Sequence, residues 1–289
     1  MPGTLFVVAT PIGNLEDITL RALRILKEVD LIAAEDTRRT RKLLTHYGIS
    51  KPMVSLREHN EAREAAKLIG RLERGENVAL VSDAGTPGIA DPGARAVRAI
   101  KAAGLPVSPI PGPSAVTAAI SVAGLDSDSF TFGGFAPRTE AAKDSWLRDL
   151  TEEGRPFIFL ESPHRVKTTL AACSKICVER QITICRELTK LHETLVVWEI
   201  NGSAIDNYDG EFTVVVSGSS DSNVVDRQSA ISLHDDIIRL TNLIVATDVI
   251  PLEASFAAVA AGFGLRARDV RNLVKKANIS AKRQKDAQS

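Results

Sequence analysis

The sequence has no long hydrophobic run. Its apolar stretches, such as "LFVVA" and "VALV", are strand-sized. None approaches the ~20 residues of a membrane-spanning helix, so neither a membrane span nor a membrane partner is expected. The N-terminus lacks a basic region, an apolar core and a cleavage site, so no signal peptide is expected. Cysteine is scarce. Cys173, Cys177 and Cys185 are an odd number without paired C-x-x-C spacing. That argues against a disulfide framework or a zinc site and predicts reduced, mostly buried thiols in a cytoplasmic protein. An excess of either charge is also missing, with 36 Lys and Arg against 36 Asp and Glu. The balance excludes a surface coated in nucleic-acid-binding charge, though not a local basic patch. Repeats and low-complexity arrays are absent. The first loop carries no G-x-G-x-x-G, so a Rossmann-type nucleotide site lacks support. No G-x-x-x-x-G-K-[ST] exists, which excludes a P-loop. His46, His192 and His234 form no pattern of metal ligands with carboxylates, and no metal is expected.

What is present is the balance of a globular protein: 44% hydrophobic and 25% charged residues in a chain of 289, long enough for two or three domains. "TLFVVA", "DLIAAED", "KPMVSL", "NVALVSD" and "PVSPI" read as strands. Between and after them, "ITLRALRILKEV", "TRRTRKLLTHYG", "NEAREAAKLIGRLERG", "ARAVRAIKAAG" and "SAVTAAISVAG" carry helical periodicity. Asn60 is placed to cap the third helix, and Gly48 and Gly75 to stop the second and third. This alternation predicts a mostly parallel sheet covered by helices. The pattern then changes. "DSFTFGGF" and "PFIFLES" read as strands, residues 139–153 and "HRVKTTLAACSKIC" as helices. "QITICREL", "ETLVVWEI" and "GEFTVVVSG" follow with no helices between them, which predicts partly antiparallel pairing. Residues 218–228 read as a linker, and three helices are expected beyond it. The expected fold class is α/β, with an N-terminal domain over 1–115, a second, mixed-sheet domain over 116–219 and a helical extension over 229–289.

Three loops follow strands and are rich in Gly and Pro: "ATPIGNLEDI", "VSDAGTPGIADPG" and "PIPGPSA". Ligands of open parallel sheets bind beyond the carboxyl ends of the strands. Gly lets a ligand approach the backbone, and Pro fixes the loop beforehand. The competing reading is a set of tight strand-to-helix turns; three such loops in one domain favour a binding shelf. Few cations lie in these loops, which suits a phosphate-free ligand with polar and apolar parts. Asp83 leaves its strand as a carboxylate expected to face the crevice and attract a cation, or else to stabilise its own turn.

"VVATPIGNLEDITLRAL", "AAEDTR", "EHNE", "ALVSDAGTPGIADPG", "PIPGPSA", "ESPHR" and "RELTK" occur in that order, from Val7 to Lys190. In these strings the chain resembles the small-subunit ribosomal RNA methyltransferases of the tetrapyrrole-methylase superfamily. The resemblance implies two α/β domains with S-adenosylmethionine in the cleft between them, and a homodimer. It implies methylation of a cytidine ribose 2′-oxygen in the decoding region of the small-subunit (16S) ribosomal RNA, as naked RNA or assembled subunit. By motif, it implies that Pro11 and Gly13 lie near the cofactor. Asp83, Ala84, Gly85, Thr86, Ile89, Ser114 and Ala115 would line it, and Leu160, Glu161, Cys185 and Glu187 would close over it from the second domain. The chain departs from the pattern at Ala90, where Ser is expected, at Arg57, where His is expected, and at Cys185, where Ala is expected. The glycine expected after Glu193 is missing as well.

A ribose hydroxyl is weakly acidic, so a general base would help. Glu58 and His59 have suitable chemistry; capping of a helix or positioning of RNA are the competing roles. Arg38, Arg39 and Arg41 are candidates for phosphate contacts, against a solvated helix face. His164 and Arg165 would anchor RNA or cap a helix. Near the C-terminus, Arg268, Arg271, Lys275 and Lys276 cluster at helical spacing and are candidates for RNA contact. Two other functions compete. One is C-methylation of a tetrapyrrole on the same scaffold. The other is a nucleic-acid-binding regulator, since "PLEASFAAVAAGFGLRARDVRNLVKKA" reads as a helix-turn-helix unit.

Overall fold

The computed structural model describes residues 1–125, 127–178, 180–198, 207–219, 241, 252–262, 267–268, 270–272 and 274. The chain divides into two compact units, Met1–Gly218 and Ser219–Ser289. Two five-stranded sheets build the first unit.

The first sheet contains β1 (Leu5–Val8), β2 (Leu31–Ala34), β3 (Met53–Ser55), β4 (Val78–Val81) and β5 (Val107–Ile110). Their order is β3-β2-β4-β1-β5, and every pairing is parallel. The connecting helices are α1 (Leu20–Glu28), α2 (Thr37–His46), α3 (Glu61–Glu73) and α4 (Ala94–Ala102), and a single 3₁₀ turn at Leu15–Asp17 precedes α1. Alternate residues of each strand face opposite helix layers. Val8, Ile32, Ala34, Ala79 and Val81 form one core with Ala22, Ile25 and Leu26 of α1 and Leu44 of α2. Leu5, Leu31, Ala33, Val78 and Leu80 form the other with Leu68 and Leu72 of α3 and Ile100 of α4. Both faces are covered, which is why the strands read as continuous apolar runs. The chain leaves β1 toward β2 on one side and β4 toward β5 on the other. The switch point therefore lies between β1 and β4, and a crevice opens beyond their carboxyl ends.

The second sheet contains β6 (Thr131–Phe135), β7 (Phe157–Glu161), β8 (Ile182–Arg186), β9 (Thr194–Trp198) and β10 (Phe212–Val216), in the order β6-β7-β10-β8-β9. Only β6 and β7 run parallel; β10 pairs antiparallel with β7 and β8, and β9 with β8. The helices α6 (Glu140–Glu152) and α7 (Pro163–Ile176) cover one face through Leu147, Leu150, Val166 and Leu170. The other face receives α5 (Ala115–Val122), whose Val116 and Ala119 pack on Ile158, Cys185 and Val215. This helix follows β5 of the first sheet and rests on the second, which carries the third Gly-Pro loop to the junction of the two.

The mixed α/β architecture read from the sequence is the architecture observed. Asn60 sits at the position before α3 but makes no side-chain cap; its amide accepts from the Arg57 N–H at 2.7 Å and donates to the Ser55 carbonyl at 3.1 Å. Cys173, Cys177 and Cys185 are buried free thiols. Among the described residues, no helix is long and apolar enough to cross a membrane. In the second unit, α8 (Leu252–Gly262) contributes Phe256, Val259 and Ala260 to a small apolar cluster with Val270 and Val274. The expected linker beyond Ser219, most of the expected C-terminal helices, and Lys275 and Lys276 lie outside the described residues.

Candidate active site

The loop after β1 and the loop after β4 are tied together. Thr10 N–H donates to the Gly85 carbonyl at 2.8 Å, and Gly85 N–H donates back to Thr10 at 3.0 Å. Gly85 has φ +78°, which favours glycine, and a Cβ there would lie 3.4 Å from Ile12 Cγ2. The third loop joins through Thr86, whose hydroxyl donates to the Pro113 carbonyl at 3.3 Å. The shelf is thus one hydrogen-bonded assembly of the three loops singled out in the sequence.

Above it lies a cavity of about 330 Å³. The first sheet's loops line it with Ile12, Ala84, Gly85, Thr86, Ile89, Ala90 and Asp91. Ser114, Ala115 and Val116 lead into α5. The second sheet contributes Phe135, Leu160, Glu161, Ser162 and Pro163, with Leu188, Glu211, Phe212 and Thr213 closing the far side. The size falls in the range of small-ligand sites. Three of these lining residues are carboxylates and none is lysine or arginine.

Eight residues carried over by resemblance come together on this wall: Ala84, Gly85, Thr86, Ile89, Ser114, Ala115, Leu160 and Glu161. Five do not line it. Pro11 is buried within the first loop. Gly13 sits against the loop after β8, where a Cβ would meet Lys190, Thr189 and the Leu188 carbonyl within 2.9 Å. Beside it, Asn14 N–H donates to the Thr189 hydroxyl at 3.0 Å. Cys185 lies in the core between α5 and the sheet, and burial pushes its thiol up to about 11. Glu187, at φ +53°, accepts from Lys190 at 2.9 Å and from the Glu211 N–H at 2.8 Å.

Asp83 differs most from expectation. Its carboxylate turns toward the start of α2, accepting from the Asp36 N–H at 3.0 Å and pairing with Arg39 at 3.4 Å. Its own N–H donates to Glu35 at 3.2 Å. Burial raises the Glu35 carboxyl above its ordinary range, partly offset by that hydrogen bond. Next to it, Arg38 donates to Asp36 at 2.7 Å and holds that carboxyl well below its usual range. Arg57, the departure from the resemblance, donates to the Glu35 carbonyl at 3.2 Å and lies 3.8 Å from Asp36. Arg38 and Arg39 therefore have carboxylate partners, while Arg41 is exposed.

Glu58 and His59 are exposed on the turn before α3. The buried acid of the "EHNE" string is Glu61, 3% exposed, whose carboxylate accepts from the N–H groups at the start of α4. His164 is exposed on the first turn of α7. Arg165 turns inward, donating to Glu161 and to the Ala136 carbonyl. Glu161 also accepts from the Thr169 hydroxyl at 2.7 Å and the Ser162 N–H at 2.8 Å, so this buried carboxylate is fully engaged. In the second unit, Arg271 pairs with Glu253 and lies over the Phe256 ring at 5.8 Å. Arg268 is exposed. The residues the sequence reading missed are chiefly Asp91 and Glu61. Both stand inside the strings that carry the resemblance, but nothing local says where their carboxylates point.

Comparison with known proteins agrees with this architecture. Residues 4–202 match the family model described as Tetrapyrrole (Corrin/Porphyrin) Methylases. A Xylella fastidiosa relative named "Ribosomal RNA small subunit methyltransferase I" is 48% identical over 77% of this chain and 84% of its own length. A relative of the same name from Pasteurella multocida is 41% identical over 92% of this chain and 94% of its length. One from Thermotoga maritima is 45% identical over 75% of this chain and 99% of its own. Among solved structures, a uroporphyrin-III-C-methyltransferase from Thermus thermophilus covers 76% of this chain and 97% of its own, with a TM-score of 0.54 at 19% identity. The methyltransferase CobJ covers 75% of this chain and 95% of its own, with a TM-score of 0.57 at 21% identity. At those identities the likeness is one of fold. With the family match over most of its length and relatives above 40% identity, the chain belongs to the tetrapyrrole methylase family.

Proposed function

We propose that the chain is an S-adenosylmethionine-dependent methyltransferase of small-subunit ribosomal RNA, acting on the 2′-oxygen of a cytidine ribose in the decoding region. The observation that carries the reading is the cavity at the switch point, walled by small residues and carboxylates, in a chain whose relatives bear the name of a ribosomal RNA methyltransferase.

The lining fits the methyl donor. A sulfonium carries positive charge and no phosphate, so it suits a wall with Asp91, Glu161 and Glu211 and no lysine or arginine. Ala84, Gly85, Thr86 and Ala115 leave room for close backbone approach, while Ile89 and Leu160 supply apolar contact. When bound, the cofactor supplies an electrophilic methyl group; the protein supplies orientation and charge. Arg165 holds the Glu161 carboxylate in place at the wall through a 2.8 Å ion pair. The contact of Asn14 with Thr189 holds the loops of the two sheets at one spacing. Pro11 and Gly13 act from behind, as supports of that contact. Exposed Arg41 and His164 are available for RNA phosphates, together with the basic C-terminal segment. The acting species is a homodimer, and the substrate is the RNA or the assembled subunit.

The test is a map of 2′-O-methylation on small-subunit ribosomal RNA from cells lacking the protein, with and without the gene restored. One decoding-region cytidine should lose its methyl group and regain it. An unchanged map would overturn the reading.

A further inference from the structure

We propose that Asp91 accepts the proton of the hydroxyl that becomes methylated. The inference rests on the methyltransferase reading above.

Three carboxylates line the cavity, and two have other partners. Glu161 accepts from Arg165, Thr169 and the Ser162 backbone. Glu211 pairs with Lys190 at 3.0 Å, and its side chain is 74% exposed. Among the described residues, Asp91 has no such cation. The ionisable groups acting on it are both acids, Glu35 just past β2 and Asp83 just past β4. Arg39 and Arg57 act on the Glu35 and Asp36 side of this group. A carboxylate beside like charges is made more basic by them. Burial first, then repulsion from Glu35, push the Asp91 carboxyl up to about 6. Near neutral pH it is ionised, yet basic enough to take a proton.

The loop is also fixed in place. Ile89 N–H donates to Thr86 at 3.2 Å, Gly88 N–H donates to Pro92 at 3.2 Å, and Glu61 holds the Gly93 N–H at 3.1 Å. Asp91 is held between these anchors, in the lining of the cavity. Glu58 and His59, the bases suggested by sequence, sit on an exposed turn outside the lining.

The step balances. The hydroxyl oxygen forms its bond to the methyl carbon as the donor's carbon–sulfur bond breaks and that electron pair stays on sulfur. The hydroxyl proton passes to an Asp91 carboxylate oxygen and leaves to water.

The test compares the full-length parent with Asp91→Asn and Asp91→Glu on small ribosomal subunits. For the parent, kcat should rise with pH through about 6 and then level off. Asp91→Asn should lose about 100-fold or more in kcat and lose that limb. Its affinity for S-adenosylmethionine, measured by calorimetry, should fall by no more than about tenfold, far less than kcat, since Glu161 and Glu211 still place negative charge at the wall. Asp91→Glu should recover part of kcat. In the free parent, a ¹³C-carboxyl titration should give Asp91 a midpoint near 6. Parental kcat and pH profile in Asp91→Asn overturn the proposal, as does a midpoint below about 4.5 or a rate loss explained by donor affinity. A parent that methylates no ribosomal RNA overturns the functional reading itself, and the Asp91 role with it.

Discussion

Glu61 of α3 caps α4: its Oε1 accepts the N–H of Gly93 at 3.1 Å and that of Ala96 at 2.8 Å. The first N–H groups of a helix have no partner within it, and this end of the dipole favours negative charge. A carboxylate from the neighbouring helix meets both needs in a buried place. Glu61→Ala should leave two donors unsatisfied and cost about 2–3 kcal/mol. Thermal melting should fall by roughly 5–10 °C. Gly93 ends the loop that carries Ala84 to Asp91, so affinity for S-adenosylmethionine should fall as well. Glu61→Gln keeps an acceptor and should restore most of both. A Glu61→Ala variant that melts with the parent would remove the cap from the stability of this region.

Gly13 makes a different demand. An added Cβ would lie 2.5 Å from Lys190 Cγ and 2.9 Å from the Leu188 carbonyl oxygen. The lysine stem can swing away; the carbonyl belongs to the backbone of a lining residue and cannot. Gly13→Ala should part the loops after β1 and β8 by a few tenths of an ångström. Binding of S-adenosylmethionine should weaken roughly tenfold, about 1.4 kcal/mol. The melting temperature should change little, because both cores are untouched. Calorimetry showing parental affinity would mean the loops do not need this approach.

These two cases mark where sequence reading stops. The strands were legible because each is a short apolar run bounded by Gly, Pro or Asp, and the missing helices after β8 announced antiparallel pairing. The three Gly-Pro loops announced the shelf. Partners were not legible. Asp83 reads as a crevice carboxylate, yet it is bound by Asp36 and Arg39 from α2. In "ESPHR" neighbouring His164 and Arg165 point to opposite environments, one outward and one into Glu161. In "EHNE" the interior acid is the last residue, because helical phase turns Glu61 inward and leaves Glu58 on the turn. Residue type and period are local properties; which atom meets which across 30 or 40 positions is settled only by the fold.

Asp91 should also mark the pH dependence of stability. Its carboxyl is raised to about 6 in the folded protein. A raised folded-state value means the contribution is fully present below the unfolded value of about 4 and is lost as pH rises to about 6. Above that range the folded parent holds an unfavourable charge beside Glu35 and Asp83. Asp91→Asn should therefore gain on the parent between about pH 4.5 and about pH 7.5. After allowance for solvent screening at this partly exposed group, the gain is about 1 kcal/mol. Urea midpoints at the two pH values measure it. A variant whose difference from the parent is the same at both would show that Asp91 carries no buried charge.

The last prediction separates methyl transfer from RNA capture. The Thermotoga maritima relative is matched over 99% of its length by 75% of this chain, so about a quarter of this chain has no counterpart in it. The unit Ser219–Ser289 is of that size and holds the basic cluster containing Arg268 and Arg271. Arg271 already has Glu253 as a partner and Phe256 beneath it, so part of this cluster is internal to its unit. Truncation after Gly218 removes the whole unit and leaves both sheets and the cavity lining in place. Affinity for S-adenosylmethionine should stay near the parental value. Affinity for the small subunit should fall, and the slope of log K against log salt should become shallower by about 0.7 for each phosphate the truncated protein no longer neutralises. At low salt and saturating subunit, the rate should recover toward the parent, because the chemistry lies in the first unit. A truncated protein with the parental salt slope would assign RNA capture to the two sheets alone and leave the C-terminal cluster a packing role.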